Sequence, residues 1–170
     1  MRTSVIQAKG RIKMKDAARR EQVLFVCTHN SARSQMAEGI LRELYGDRFE
    51  AHSAGTIPTA VDPRAISAMA EVGIDISHHR SKSVSEFDGK DIDYVVTLCG
   101  DAKEVCPFFP GAKEYIHRGF VNPADKSEPE ESVAAFRQVR DELKDWISRI
   151  FGQQKKEGVT GGMHFELSSE

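Results

Sequence analysis

A short apolar stretch that runs into a small polar loop constrains this fold more than any other part of the sequence. Residues 23–26 are all apolar, three of them are strong β-formers, and they lead directly into Cys27. Five small or polar residues separate Cys27 from Arg33, after which apolar side chains recur at helical spacing. This pattern predicts a strand, a tight loop and the start of a helix. A Cys-x5-Arg spacing alone often arises by chance, but the strand, the loop, Ser34 and the helix together make the interpretation specific.

The predicted loop has the properties of an anion-binding site with a thiol in its floor. Backbone N–H groups of a loop that enters a helix point inward at the positive end of the helix dipole, where they bind tetrahedral oxyanions. Arg33 adds a planar fork of donors. An ordinary thiol is about 3% ionised at pH 7, and the same field, with a hydrogen bond from Ser34, favours the thiolate of Cys27. We therefore predict attack by this sulfur on the central atom of a bound oxyanion.

Length and composition limit the remaining possibilities. A chain of 170 residues with 39% hydrophobic residues and a net charge of −2 is typical of one soluble domain rather than of a nucleic-acid binder. No apolar run approaches the roughly 18 residues of a membrane span and no signal-peptide core is visible. We expect a cytoplasmic monomer without membrane or nucleic-acid partners. Three cysteines in such a chain favour reactive thiols over a disulfide framework.

Both ends of the chain are predicted to lie outside the folded domain. Residues 1–20 carry seven basic residues and one acid, a net charge of +6 against −8 for the remainder. We expect residues 1–21 to form a disordered or loosely docked extension, with contact to nucleic acid or to an acidic partner as the alternative. Residues 152–170 have the composition of a disordered tail, which leaves residues 22–151 as the folded domain.

The order of predicted elements is characteristic of a parallel sheet. Helix starts are indicated by Asp62 followed by Pro63, and by Ser127 with Glu130 as a capping box. Because strands alternate with helices, we predict an α/β fold: a four-stranded parallel sheet with helices on both faces and a phosphate-binding loop after the first strand. The predicted elements are strands over 23–26, 49–55, 93–98 and 113–117, and helices from Arg33 to Gly46, from Asp62 to Gly73 and from Ser127 to Ile150.

Two further cysteines stand at and beyond the end of the third strand. Cys99 follows this strand as Cys27 follows the first, and the carboxyl ends of parallel strands share one edge, so the two thiols can approach each other. If the segment from Cys99 to Cys106 were helical, their Cα atoms would be about 10 Å apart. A disulfide requires about 7 Å or less. Either the two cysteines never form a disulfide, or its formation unwinds the segment, which Gly100 makes easier. Two interpretations therefore remain: a redox-active pair, or two small buried hydrophobic residues.

The adjacent histidines His78 and His79 do not indicate a metal site. Neighbours in sequence rarely point at one ion, and no second ligand pair has a zinc-like spacing. We expect surface or capping histidines, and we predict neither a metal nor another cofactor.

Together these motifs resemble a known family. The run from Cys27 to Ser34, the later His52-Ser53-Ala54-Gly55, and Cys99 with Cys106 are similar to the thioredoxin-coupled arsenate reductases, relatives of the low-molecular-weight protein tyrosine phosphatases. The resemblance covers residues 23–151. Its specific part is the two-cysteine segment, because the loop alone would fit the phosphatases equally.

The resemblance implies a three-thiol reaction. Arsenate, with phosphate or sulfate as competing oxyanions, would bind in the loop and be attacked by Cys27. Cys99 would then attack Cys27 and expel arsenite, Cys106 would attack Cys99, and thioredoxin would reduce the resulting disulfide. Asn30 would hold the shape of the loop with help from Ser53. By the same resemblance the oxyanion would be bound by Thr28, His29, Asn30, Ser31, Ala32 and Arg33.

Two residues depart from the family pattern. Asn122 precedes Pro123 where relatives carry an Asp that acts as general acid, a loss that typically costs about 10²- to 10⁴-fold in rate. Ready exchange of As–O bonds or a proton from Asp125 would compensate, whereas phosphate monoesters would suffer more. Lys82 lies where relatives place an acidic ligand for a monovalent cation, so we predict no such ion.

The expected function is therefore arsenate reduction. The alternatives are a phosphatase that acts on phosphotyrosine or a small phosphoester through Cys27, and a non-enzymatic oxyanion-binding or redox-sensing module. Asn122 argues against the phosphatase, because an amide does not give up a proton at neutral pH.

Overall fold

The computed structural model describes residues 19–100, 109 and 111–153. Cys106, residues 1–18 of the basic arm and residues 154–170 of the tail lie outside the described residues, and with them the predictions made for these segments. Within the described ranges no helix is both long and apolar enough to cross a membrane. The elements are β1 (Glu21–Cys27), α1 (Arg33–Tyr45), β2 (Phe49–Gly55), α2 (Pro63–Ala70), a 3-10 helix (Val84–Phe87), β3 (Tyr94–Cys99), β4 (Glu114–Phe120), a 3-10 turn (Pro123–Asp125) and α3 (Pro129–Gly152).

The four strands form one sheet in the order β2-β1-β3-β4, and every neighbouring pair is parallel. This confirms the predicted α/β fold. The chain leaves β1 toward β2 on one side and returns to β3 on the other, so the strand order reverses at β1 and β3. In open parallel sheets ligands bind beyond the carboxyl ends of the strands at such a switch point. Cys27 and Cys99 are the last residues of these two strands.

Apolar side chains of β1 alternate between two cores. Val23 and Phe25 belong to the core formed with α1, α2 and α3, because successive side chains of a strand point to opposite faces. Leu24 and Val26 belong to a second core, completed by Phe87 and Phe109 among others. Within the described part of the chain the three α-helices thus share one face, and the helical element on the other face is the 3-10 helix Val84–Phe87.

The fourth strand is longer than the sequence pattern indicates. It extends three residues past the predicted end at His117, because Phe120 is buried and pairs with Cys99 after a bulge in the register. The residues just before Phe120 are partly exposed, so the sequence does not alternate between apolar and polar residues there and the pattern does not indicate that the strand continues.

The last helix begins later than predicted, and the proposed capping box is wrong. Glu128 is its N-cap residue and makes no side-chain capping bond, whereas Ser127 precedes the helix. The reason is Pro129, since the residue before a proline is disfavoured in helical conformation. Glu128 accordingly has ψ 131°, and its carbonyl accepts the first helical hydrogen bond from Ser132 at 2.8 Å. The other helix starts and β2 lie where the sequence predicts them.

An aromatic cluster joins the end of α3 to the sheet. Phe151 contacts the rings of Phe25, Phe49, Tyr94 and Trp146 edge to face, with centroids 5.1–6.4 Å apart. Its side chain is fully buried. Edge-to-face pairs add to the free energy gained by burying the rings.

We expect Phe151→Ala to lower the free energy of unfolding by about 3–5 kcal/mol, because it removes a buried ring and leaves a cavity. Val133→Ala, at an exposed position of the same helix, is the control and changes stability by less than about 0.5 kcal/mol. Urea denaturation followed by circular dichroism measures both. Equal midpoints for the two variants would contradict this account of the core.

Candidate active site

Hydrogen bonds fix the orientation of five successive peptide groups in the loop between β1 and α1. Each carbonyl from Thr28 to Ala32 accepts a hydrogen bond from a group outside the loop interior. A trans peptide is planar, so the following N–H points the opposite way. The N–H groups of residues 29–33 therefore turn toward the interior of the loop. The groups that donate to the five carbonyls are the backbone N–H groups of Ile57 (2.9 Å), Thr59 (3.2 Å), Asp62 (2.9 Å) and Met36 (2.9 Å) and the side chains of Ser81 (2.9 Å) and Gln35 (3.1 Å).

The helix that follows adds its dipole to this arrangement. α1 begins at Arg33 with Ala32 as N-cap residue, and no side chain caps the helix. The positive end of α1 therefore faces the same loop interior. The His29 ring, in contrast, lies at the exposed rim, where Nδ1 is 3.1 Å from the Ile57 carbonyl.

Cys27 is buried at the base of the loop and is a free thiol. Its sulfur lies 2.9 Å from the Ser34 hydroxyl oxygen, and the Asn30 side-chain amide donates to that same oxygen at 2.8 Å. A hydroxyl has one proton to give. With Asn30 donating to this oxygen, the Ser34 proton is available for a hydrogen bond to the Cys27 sulfur.

Asn30 has an unusual backbone conformation. Its φ is +48°, and it is the one non-glycine residue with positive φ in the part of the chain that the structure describes. Asparagine tolerates this left-handed region better than most residues. The fully buried side chain accepts from the Lys82 backbone N–H at 2.8 Å and from the Gln35 side-chain amide at 2.9 Å. This geometry supports the predicted role of Asn30 in shaping the loop.

Among the described residues, Ser53 is linked to the loop through Glu38 and Lys82. Its hydroxyl donates to the buried carboxylate of Glu38, and Glu38 pairs with Arg42 and, at 3.5 Å, with the Lys82 ammonium. The backbone of Lys82 in turn binds Asn30 and, through its carbonyl, the Gly55 N–H at 2.8 Å. The sequence did not predict that the Lys82 backbone supports the loop, because every residue has the same backbone groups and the residue type gives no signal.

The residues around Lys82 do not suit a monovalent cation. The Lys82 side chain is 13% exposed and places its own positive charge beside Glu38. A second cation here would meet the ammonium group in place of an acidic ligand. More generally, no group of three or more His, Cys, Asp or Glu side chains within the described ranges has the arrangement of a metal site.

Gly55 lets the end of β2 touch the loop. A Cβ atom at this position would lie 2.6 Å from the Thr28 carbonyl oxygen and 2.8 Å from the Asn30 nitrogen. Any larger residue would push the loop backbone aside. The glycine at the end of Ser53-Ala54-Gly55 therefore has a steric reason.

Arg33 connects the loop to the end of β4. Its guanidinium is almost fully buried, and Nη1 donates to the Phe120 carbonyl at 3.1 Å. Gly100 packs against that same carbonyl, since a Cβ there would overlap it. The ends of β3 and β4 thus meet at the arginine, and Cys99, the buried last residue of β3, lies at this edge.

The two residues considered for the general-acid position, Asn122 and Asp125, are hydrogen-bonded to each other. The Asn122 amide donates to the Asp125 carboxylate at 2.8 Å, and its carbonyl oxygen caps the 3-10 turn by accepting from Ala124 at 3.3 Å. Asp125 is exposed. Asn122 follows Phe120 by two residues, which places this pair on the segment that leaves the Arg33 contact.

Comparisons with known proteins agree with this geometry. Residues 22–160 match the family model for low molecular weight phosphotyrosine protein phosphatase. An arsenate reductase of Halalkalibacterium halodurans is 47% identical over 122 residues, which cover 71% of this chain and 88% of the relative.

Solved structures give the same result. An arsenate reductase in the phosphate binding state superposes with a TM-score of 0.64 and 31% identity, over 79% of this chain and 99% of the other. A thioredoxin-dependent arsenate reductase of Corynebacterium glutamicum superposes with a TM-score of 0.59 and 27% identity, over 81% and 65% of the two chains. The chain therefore belongs to the low molecular weight phosphotyrosine protein phosphatase family and, within it, to the arsenate reductases.

Proposed function

We propose that this protein reduces arsenate to arsenite through thiol–disulfide exchange and is regenerated by thioredoxin. The observation that carries the proposal is the loop of outward-bonded carbonyls around buried Cys27, whose sulfur lies 2.9 Å from Ser34. The names of the relatives support arsenate as substrate, and the Corynebacterium relative supports thioredoxin as reductant.

The first step is formation of a sulfur–arsenic bond. Arsenate binds to the inward N–H groups of residues 29–33 and to the Arg33 guanidinium, which offset its negative charge. The Cys27 thiolate attacks arsenic, an As–O bond breaks, and the oxygen leaves with a proton as water. Phosphate and sulfate have the same tetrahedral shape and compete for the loop.

The second step reduces arsenic. The Cys99 thiolate attacks the Cys27 sulfur, an S–S bond forms, and the electron pair of the S–As bond stays on arsenic, which changes from As(V) to As(III) and leaves as arsenite. The position of Cys99 at the end of the strand beside β1 supports this step.

The last steps return Cys27 to its reduced state. Cys106 attacks Cys99, the disulfide moves to Cys99 and Cys106, and Cys27 is released as thiolate. A dithiol of thioredoxin then reduces this disulfide and is itself oxidised. Such a cycle requires a compartment in which thioredoxin is kept reduced, and the cytoplasm is such a compartment.

Asn122 favours the reductase over the phosphatase. An amide donates a hydrogen bond to a leaving oxygen but does not protonate it, which matters most for a poor leaving group such as an alkoxide or phenoxide. The hydrogen bond from Asn122 holds the Asp125 carboxylate at this segment, and we propose Asp125 as the source of the proton.

Cysteine variants test the relay. With arsenate, thioredoxin, thioredoxin reductase and NADPH, we expect Cys27→Ser, Cys99→Ser and Cys106→Ser each to abolish sustained NADPH oxidation. Cys106→Ser alone should still release a single equivalent of arsenite per protein molecule, because the first two steps do not use it. Sustained turnover by Cys106→Ser would show that the three-thiol order is wrong.

Restoring a carboxyl group at position 122 tests the interpretation of Asn122. We expect Asn122→Asp to raise the hydrolysis of phenyl phosphate by about 10²-fold, because a carboxyl group can protonate the leaving oxygen. The gain should be smaller for p-nitrophenyl phosphate, whose leaving group needs no proton. Asp125→Asn is the control and should give no gain. An equal gain with both substrates would contradict a general-acid role for this position.

A further inference from the structure

We propose that Arg42, His79 and Gln35 form a one-directional hydrogen-bond chain that positions and polarises the donors of the Cys27 thiolate. The inference rests on the proposed function, since it concerns the nucleophile of that reaction. None of these three residues touches the bound oxyanion in the scheme above, so they are positioning residues rather than catalytic ones.

Gln35 defines the direction of the chain. Its fully buried Nε2 lies within hydrogen-bond distance of three acceptors: the Asn30 side-chain oxygen (2.9 Å), the Asn30 carbonyl (3.1 Å) and the Arg80 carbonyl (2.9 Å). An amide nitrogen donates and never accepts, so this end must face these oxygens. Gln35 Oε1 is therefore the acceptor end, and it faces His79 Nδ1 at 2.8 Å.

The protonation of His79 follows from its two neighbours. Because Gln35 Oε1 only accepts, His79 Nδ1 carries the proton. The other ring nitrogen, Nε2, lies 2.8 Å from Arg42 Nη1, which only donates, so Nε2 must present a lone pair. His79 is thus neutral with a fixed tautomer.

The surroundings of His79 keep it neutral. Burial lowers its pKa to about 4, and the positive charges of Arg42, His78 and Lys82 act in the same direction against the opposing effect of Glu38. These are the charged groups that face the ring from α1 and from its own loop. Both nitrogens accordingly keep the roles that the geometry requires at neutral pH.

The complete chain runs from the protein surface to the sulfur. With Cys27 as the thiolate, every proton points inward: Arg42 donates to His79, His79 to Gln35, Gln35 to Asn30, Asn30 to Ser34, and Ser34 to Cys27. Hydrogen bonds aligned in this way polarise one another, and the effect is strongest where solvent is excluded. The hydrogen bond from Ser34 to Cys27 is therefore strengthened by the guanidinium of Arg42, which is 44% exposed and paired with Glu38.

A purely structural role is the competing interpretation. In that case the chain would only fasten the loop of residues 77–82 to α1, and its loss would change stability without changing the reactivity of Cys27. Two variants of His79 separate the two interpretations. His79→Gln keeps one hydrogen-bond acceptor and one donor in place of the two ring nitrogens, whereas His79→Leu has neither.

The dependence of stability on pH tests whether His79 is neutral when folded. Its pKa in the folded protein is about 4, below the ordinary 6.5, so the unfolded chain binds more protons between these values. Stability should therefore fall as pH decreases from about 6.5 toward 4, and His79→Gln should reduce this fall. Urea midpoints measured from pH 7 to pH 4.5 check the result, and an unchanged slope in His79→Gln would overturn the neutral state assigned to His79.

Alkylation of Cys27 tests the chain itself. In a Cys99→Ser, Cys106→Ser background, the rate of reaction with iodoacetamide is measured against pH, a readout that needs neither arsenate nor thioredoxin and so stands apart from the proposed function. We expect His79→Leu to shift the pH midpoint of alkylation upward by about 0.5–1 unit, the effect of one weakened hydrogen bond. His79→Gln and the control His78→Leu should keep the midpoint of the parent.

A variant at the solvent end keeps the proposal testable if His79→Leu does not fold. Arg42→Met removes the outermost donor at a half-exposed position and should shift the midpoint in the same direction by a smaller amount. Unshifted midpoints in folded His79→Leu or Arg42→Met protein would overturn the proposal and leave the three residues a purely structural role.

Discussion

The outward hydrogen bonds of the loop carbonyls are the constraint on which this site depends. Five peptide planes must turn the same way before their N–H groups can face one anion, and an isolated loop would not hold that conformation against its entropy. The tertiary structure supplies the bonds, from the segment 57–62, from Ser81 and from α1 itself. Electrostatic preorganisation of this kind is obtained in folding, so no reorganisation is needed when substrate binds.

Close packing of backbones makes those bonds possible. Gly55 brings the end of β2 against the loop, and Gly100 brings the end of β3 against the Phe120 carbonyl that also accepts from Arg33. The ends of β2, β3 and β4 and the start of α1 thus lie close together around the loop. Asn30, with its left-handed backbone and buried amide, joins this framework to Ser34 and the nucleophile.

The same framework serves two chemistries in one family. Anion binding by the loop and a thiolate nucleophile suit both phosphoryl transfer and arsenate reduction. In the proposed function, arsenate reduction is favoured by an amide at position 122, which does not protonate a poor leaving group, and by a second thiol, Cys99, at the end of the adjacent strand. The neighbouring Lys82 brings its own charge to Glu38, so the loop support is electrostatically balanced by residues of the chain itself.

The sequence by itself determined the elements whose causes are local. The strand into Cys27, the loop, the helix starts at Arg33 and Asp62 and the order of strands and helices follow from periodicity and capping chemistry within a few residues. Where two local signals competed, the sequence was misleading: the Ser127–Glu130 pattern lost to the backbone restriction imposed by Pro129.

Only the tertiary structure decided what surrounds Cys27. The Gln35–His79 bond spans 44 residues, the Lys82–Asn30 bond 52 and the Arg33–Phe120 bond 87. Two of these use backbone groups, which every residue possesses, and the third uses common polar side chains, so no pattern in the sequence marks them. Their geometry comes from the packing of the sheet and α1, which alone brings the distant segments together.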